Sequence, residues 1–422
     1  MTGGPSSERS TSPDPLGSSL SWALTRSLPG REERWLLRAL LHRGPSAQDA
    51  WDAFSSRVKN LPGLFRTDTG GRKRLGPLLL SSIRENALPA DPGLLTVLKT
   101  AYLREELRVK ALRKIARSAF DALREEGLSF LVLKGAALSE VVYPDPVLRH
   151  THDIDLLVQG DDLERAQEAV AHAGFHSPVV LTGGRGTMVT HRTYTPILLL
   201  VSLYRYPFYQ TDAQAIRRRS REVVLDALGP IIIPSPADNL LQAIGHASYS
   251  PRRSNLLWVT DAWTILQGQD SFDWSRFMEA VRESRLEIPA FVMLRYLKEE
   301  IDAPVPEATL EALSTLAVNA GKLRRDAALY GARQYGGQHS QLTALKRPSC
   351  RERLNLLRWQ VFPSREYVSW AYGNPPALLL PAIYLMRPVT YAAEALKWRL
   401  IGLARVFAIR LGIPVRSESD SD

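Results

Sequence analysis

The chain has 422 residues, 45% of them hydrophobic, and 54 lysines and arginines against 44 aspartates and glutamates give it a formal net charge of +10. That length and apolar content supply core for two or three packed domains, while a single cysteine, Cys350, excludes an internal disulfide framework and a cysteine-rich zinc site. The positive excess favours phosphate-bearing partners, whether nucleotides, nucleic acid or an anionic surface, without choosing among them.

The opening MTGGPSSERSTSPDPLGSS has no apolar core, so it is no secretory signal; residues 1–20 read as a disordered polar leader. Residues 21–115 carry helical periodicity, as in EERWLLRALLHRG, where Gly44 is a stop signal. Helical and strand-like segments then alternate. The expected strands are LSFLVLK, DIDLLVQ and TPILLLVSLYRYPF, with the helix DDLERAQEAVAHAGF, closed by Gly174, between the last two. They define a core over residues 116–230. After Pro234 the strands stop. PSPADNLLQAIGHASYS opens with Ser235 as N-cap, Pro236 at the first helical position and Asp238 three residues past the cap. NLLWVTDAWTILQG and DWSRFMEAVRESR follow, so a helical domain is expected over 231–345.

A C-terminal helical extension is expected over 346–412, with RERLNLLRWQVFPSREYV and the basic, amphipathic YAAEALKWRLIGLARVFAIRLG. The second is expected to pack back on its own protein rather than on a membrane surface. Residues 413–422 read as a disordered tail. The apolar run PPALLLPAIYLM is too short to span a bilayer and is broken by Pro381, so a soluble, cytoplasmic protein is expected.

The chemistry concentrates in LKGAALSEVVYPDPVLRHTHDIDLLV. In a strand, side chains two apart share a face, so Asp153 and Asp155 project together while Ile154 faces the other way. Two like charges at that spacing repel, and each loses hydration if buried, so a positive partner belongs beside them. Carboxylates on one rigid surface, together with phosphate oxygens, suit Mg²⁺. Upstream, Gly135 ends a strand and AALSEVVY begins a helix. A glycine at such a turn lets backbone approach a phosphate, and the helix N-terminus offers unpaired N–H groups. Lys134 adds positive charge. An Asp-x-Asp alone is also an ordinary strand-edge or capping pair; the order strand, glycine turn, helix, strand gives this one its weight. His150 and His152 flank the aspartates, but two histidines at i and i+2 do not make a zinc site.

These residues resemble the uncharacterised nucleotidyltransferase family of the DNA polymerase β-like superfamily, which carries a Lys-Gly turn, a Tyr-Pro pair, an arginine and Asp-Ile-Asp-Leu-Leu-Val. The resemblance is most specific from Leu133 to Val158 and extends more faintly through LLQAIGHASYS, LLWVTDAW and FDWSRFMEAV. It implies an α+β fold: a small mixed β-sheet nucleotidyltransferase core flanked by N-terminal and C-terminal helical regions. It implies Asp153 and Asp155 as catalytic metal ligands, and Lys134, Gly135, Ala136 and Arg149 as the nucleotide-binding set. The reaction implied is transfer of a nucleoside monophosphate from an NTP to the hydroxyl of a small-molecule, peptide or protein acceptor. Mg²⁺ or Mn²⁺ assists, and pyrophosphate is released.

The departures are specific. The superfamily's usual Gly-Ser turn is Gly135-Ala136 here, so a phosphate-contacting hydroxyl is missing. A third carboxylate is expected on a later strand, and Ser202 stands in its place, with Asp212 the nearest acidic substitute. A catalytically inactive nucleotide-binding or interaction module is therefore one alternative. A nucleic-acid-binding protein is another, suggested by AIRRRSRE; without interleaved aromatics that run argues against nucleic acid. In the helical half, Asn239, Gln242 and His246 form a polar stripe that a solvated face explains. Asp261 lies on an apolar face and needs a partner, for which His246 is the candidate.

Overall fold

The structure, a computed structural model, describes residues 28–321 apart from 68–70, 182–184, 194, 205–208, 250–255 and 269–270, together with 375–389 and a few single positions beyond. Of the expected leader only Leu16 is described, and it is buried; the tail and nearly all of the two C-terminal helices expected from sequence lie outside the described residues.

Among the described residues the chain opens with α1 (Arg31–Leu41), α2 (Pro45–Ser55), α3 (Leu61–Thr67), α4 (Gly76–Asn86) and α5 (Pro92–Glu125). Gly44, at φ 59°, makes the reversal between α1 and α2, a conformation that costs glycine least. Trp51 and Phe54 of α2 are fully buried against these helices. At the head of α5, the Asp91 carboxylate accepts from the Leu94 N–H at 2.9 Å, and Pro92 takes the first helical position. The helix then runs unbroken for 34 residues, so no break falls near residue 115, where the core was expected to begin. Its early residues Leu94 and Leu98 join the helical core, and its later Ala116, Ala119, Phe120 and Leu123 cover the sheet.

Next in order are β1 (Leu131–Leu133), α6 (Lys134–Val141), β2 (Ile154–Leu157), α7 (Leu163–His172), β3 (Phe175–Val180), β4 (Gly186–His191), β5 (Pro196–Leu200), α8 (Ala213–Arg219), β6 (Arg221–Leu225) and β7 (Gly229–Ile233). Where three strands were expected, seven form one mixed sheet in the order β3-β4-β5-β2-β1-β7-β6. β2 runs parallel to β5, β1 parallel to β7, and the remaining neighbours pair antiparallel. The additional strands extend both edges. One such pair, β6 and β7, is a hairpin closed at Gly229, which holds φ 73°.

Strand periodicity sorts the central residues between two cores. Ile154, Leu156 and Val158 pack with α5 and α7, whereas Leu157, Leu131, Leu133 and Leu200 belong to the opposite core, shared with the helical half. That half comprises α9 (Pro236–Tyr249), α10 (Leu257–Gln267), α11 (Trp274–Ser284), α12 (Glu287–Ile301) and α13 (Glu307–Val318). The Ser235 hydroxyl accepts from the Asp238 N–H at 3.2 Å and donates to its carboxylate at 2.6 Å, fixing the start of α9. The N-terminal helices are tied to this half through His42, whose Nε2 meets the Ile301 carbonyl at 2.8 Å and whose ring stacks on Trp263. Among the described residues no helix is long and apolar enough to cross a membrane.

The arginine run of α8 is turned to internal use. Arg219 is bidentate to Asp238, at 2.7 and 3.0 Å, and also reaches Glu283 at 2.8 Å. Arg217 donates to Ser129 and to the Leu157 carbonyl. These bonds commit Arg217 and Arg219 to the fold and leave Arg218 and Arg221 exposed. Because Asp238 is buried, Arg219→Met strands a carboxylate and should cost about 3 kcal/mol. Arg218→Met, at an exposed position, should change stability by less than about 0.5 kcal/mol, both variants being measured by urea titration against wild type.

Candidate active site

β1 and β2 pair with Leu133 opposite Asp155, so the residue after Leu133 arrives beside that carboxylate. It is Lys134, at φ 46°, a left-handed backbone uncommon for a residue with a side chain and often found where function imposes strain. Its Nζ donates to Asp155 Oδ1 at 2.9 Å. The Asp155 side chain is 2% exposed and that of Asp153 28%. Burial holds the Asp155 carboxyl above its ordinary pKa, the Lys134 ammonium pulling against it and the Asp153 charge adding to it. At Asp153 burial also acts upward, but His152, Lys134 and Arg149 outweigh it and the pKa falls below the ordinary value. The two carboxylates are thus driven apart by their surroundings.

Arg149 organises the opposite wall. Its Nε and Nη2 donate to the two oxygens of Asp261 at 3.2 and 2.9 Å, and its Nη1 donates to the His150 carbonyl at 2.9 Å and to Thr151 Oγ1 at 3.3 Å. The Tyr143 hydroxyl donates to Asp261 at 2.8 Å. Burial acts to lower the Arg149 pKa, but the facing Asp261 carboxylate raises it overall. Asp261 therefore finds its partners in Arg149 and Tyr143, not in His246. A planar guanidinium satisfies both carboxylate oxygens at once, which one imidazole nitrogen cannot.

This pair also explains Gly135. A Cβ there would lie 2.2 Å from Arg149 Nη1 and 2.9 Å from Thr151 Oγ1. What approaches the glycine is the guanidinium, where the sequence had suggested a phosphate. Ala136 is buried in the core beneath α5, so its methyl turns away from the pocket.

Lys134, Gly135, Arg149, Asp153 and Asp155 all line one pocket, closed on its other side by Asn239, Gln242 and His246 of α9 and by Trp258 and Asp261 of α10. The polar stripe of α9 is thus no solvated face: Asn239 is 5% exposed and Gln242 3%. Among the described residues, Asn239 Oδ1 and Gln242 Nε2 are buried without a hydrogen-bond partner, an arrangement that native proteins avoid unless a ligand or water completes it. Burial and the nearby Lys134 push the His246 pKa down to about 3, so its imidazole is neutral.

Ser202 and Asp212 fall outside this constellation. Ser202 lies two residues past the end of β5, its hydroxyl engaged with the Tyr204 carbonyl and Thr211. Asp212 caps α8, accepting from the Ala215 N–H at 2.7 Å, and so supplies no acid to the pocket. His150 lines the pocket but bonds Glu105 at 2.9 Å, and among the described residues no group of three or more acidic, histidine or cysteine side chains is arranged to hold a metal. The sequence read Asn239 and Gln242 as a solvated face, Arg149 as nucleotide-binding by resemblance and Asp261 as a partner of His246, so neither the buried α9 pair nor the Arg149–Asp261–Tyr143 network was anticipated. Their only signal was polar residues on otherwise apolar helices.

A mixed sheet with helices on both sides, and paired aspartates at the start of a central strand beside a strand-to-helix glycine turn, is the architecture of an α+β nucleotidyltransferase fold. The chain belongs to the uncharacterised nucleotidyltransferase family, whose family model matches residues 68–301. No curated protein matches the chain.

Two outcomes test the geometry. Gly135→Ala should displace Arg149 and cost about 3 kcal/mol in the wild-type background. With Asp261→Asn already present it should cost less than about 1 kcal/mol, a coupling that a double-mutant cycle measures. Lys134→Met, which leaves Asp155 without its cation, should lower stability by about 1–3 kcal/mol in calorimetric melts run in EDTA.

Proposed function

We propose that the protein transfers a nucleoside monophosphate from an NTP to an acceptor hydroxyl, releasing pyrophosphate. The observation that carries this reading is that Asp153, Asp155, Lys134 and the N-terminus of α6 converge on one pocket. The donor set fits a hard divalent cation. Two carboxylates on one face, with no thiolate, match the one or two carboxylates that Mg²⁺ takes when phosphate oxygens complete its sphere. Asp153 and Asp155 would hold it, and when bound it would neutralise triphosphate charge and polarise the phosphorus under attack.

The remaining roles belong to the chain. Lys134 balances Asp155 and stands close enough to share its charge with an incoming phosphate. The first N–H groups of α6 offer donors to phosphate oxygens, and Arg149 fixes that helix start by filling the space above Gly135. Gln242, whose Nε2 has no partner among the described residues, gains one when a nucleotide enters. Asn239 Oδ1 accepts from it likewise.

A second reading, a member that binds nucleotide without turnover, is favoured by β5, where Leu198 stands beside Asp155 and the strand Pro196–Leu200 carries no acid. Loss of a general base typically costs about 10²–10⁴-fold in rate, so slow transfer is expected even from a competent site. Following pyrophosphate release with Mg²⁺ or Mn²⁺ separates the two readings.

The direct test is calorimetric titration with Mg²⁺–ATP. Asp153→Asn with Asp155→Asn removes charge and keeps shape, so nucleotide affinity should fall at least tenfold while the thermal melt remains cooperative. Equal affinity in the double variant would contradict the assignment. Gln242→Leu should weaken nucleotide binding about tenfold while stability holds or rises, because a buried orphan donor is removed.

A further inference from the structure

Beside the aspartate pocket lies a second cavity of about 640 Å³, walled by α3, the turn Arg72–Leu75, the start of α4 and the first half of α5. Arg74 and His150 line both cavities and form their common wall. Five cationic side chains face this groove: Arg66, Lys73, Arg74, Arg104 and Arg108. Among the described residues lining it, Glu105 is the only carboxylate, and its oxygens already accept from Arg108 at 2.6 Å, from the Thr151 N–H at 3.2 Å and from His150 at 2.9 Å. Arg66, Lys73 and Arg104 form no salt bridge among the described residues.

Like charges gathered from three separate elements repel one another unless an anion joins them. Arginine forks match phosphate oxygens bidentately, so phosphate is the anion this set serves best. The groove is not wholly polar, for Phe65, Pro77, Val97 and Ala101 supply apolar wall. Its volume falls in the range of whole small-molecule sites, larger than a two-phosphate tail needs. A ligand with a carbon skeleton and more than one phosphate fits both properties.

We propose that this groove is the acceptor site, and that the acceptor is a phosphorylated small molecule whose free hydroxyl is delivered past Arg74 and His150 to the aspartate pocket. The proposal rests on nucleotidyl transfer at that pocket. The bond formed joins the acceptor oxygen to the α-phosphorus of the NTP; the bond broken is that between the α-phosphorus and its bridging oxygen. Pyrophosphate leaves, and the hydroxyl proton passes to solvent.

The experiment uses the full chain and two probes, fructose 1,6-bisphosphate and a non-hydrolysable ATP analogue with Mg²⁺, each titrated into wild type, Lys73→Glu with Arg104→Glu, and Asp153→Asn with Asp155→Asn. Both groove positions are exposed and, among the described residues, unpaired by carboxylates, and a thermal melt verifies that the variant is folded. The bisphosphate should bind wild type, unphosphorylated fructose should not, and the groove variant should lose at least tenfold in bisphosphate affinity with less than a twofold change for the analogue. The aspartate variant should show the reverse pattern. No bisphosphate binding, or binding that the groove variant leaves unchanged, would overturn the proposal while leaving nucleotidyl transfer intact. A tenfold loss of the ATP analogue in the groove variant would overturn it by assigning the groove to the donor's own phosphates. Displacement of the bisphosphate by a single-stranded RNA at far lower concentration would overturn it in favour of a polynucleotide. An unchanged analogue affinity in the aspartate variant would instead sink the transferase reading itself.

Discussion

Between Arg149, on the segment that leads into β2, and Asp261, on α10, runs a buried bidentate ion pair on which the geometry of the pocket depends. Removing two charges from water costs several kcal/mol per ion, and attraction alone rarely repays it unless the remaining donors and acceptors are also satisfied. Here they are. The third guanidinium nitrogen is taken by the His150 carbonyl and Thr151, and the Tyr143 hydroxyl completes Asp261. Sliding α10 against the sheet would strand a buried charge on each side, so the helical half and the core hold one relative placement. That placement brings Asn239 and Gln242 of α9 to face the aspartates at the start of β2.

The same pair sets the requirement for glycine at 135, since the guanidinium occupies the space of any side chain there. Next to it, the sheet register delivers Lys134 to Asp155 at the cost of a left-handed backbone. Strain of that kind is typically about 1–3 kcal/mol and survives where the surroundings over-determine it. The outcome is a compact alternation of charge: two aspartates against one lysine, a saturated arginine–aspartate pair behind them, and a basic groove adjoining. That distribution of charge is what the proposed cation at the centre, with phosphates around it, requires.

Much of this was legible in the sequence. The period of two in DIDLL sufficed to place Asp153 and Asp155 on one face, and the structure sorts Ile154 and Leu156 to the other core accordingly. Ser235, Pro236 and Asp238 marked the start of α9 because capping is a local interaction. What failed was non-local. FHSPVV, GTMVTH, REVVL and GPIII are short, and proline, glycine or polar residues interrupt their patterns, so only pairing across the sheet reveals them as strands. Asp261 was recognisably in need of a partner, but that partner lies 112 residues away, and helical spacing could point only to His246 nearby. The stripe of Asn239, Gln242 and His246 looked solvated because periodicity shows which residues share a face, not what that face meets. A pocket and water are indistinguishable by that criterion.

The central claim is that Asp153 and Asp155 hold a divalent cation which carries the phosphates of a nucleotide bound against the start of α6. A crystal structure with Mn²⁺ and a non-hydrolysable NTP measures this most directly, because manganese is identified by its anomalous scattering. The account predicts an anomalous peak within bonding distance of carboxylate oxygens of Asp153 and Asp155, with phosphate oxygens on the same ion and Gln242 in contact with the nucleotide. Nucleotide bound elsewhere, or a pocket in which Lys134 keeps Asp155 and no ion binds at saturating Mn²⁺, would contradict it.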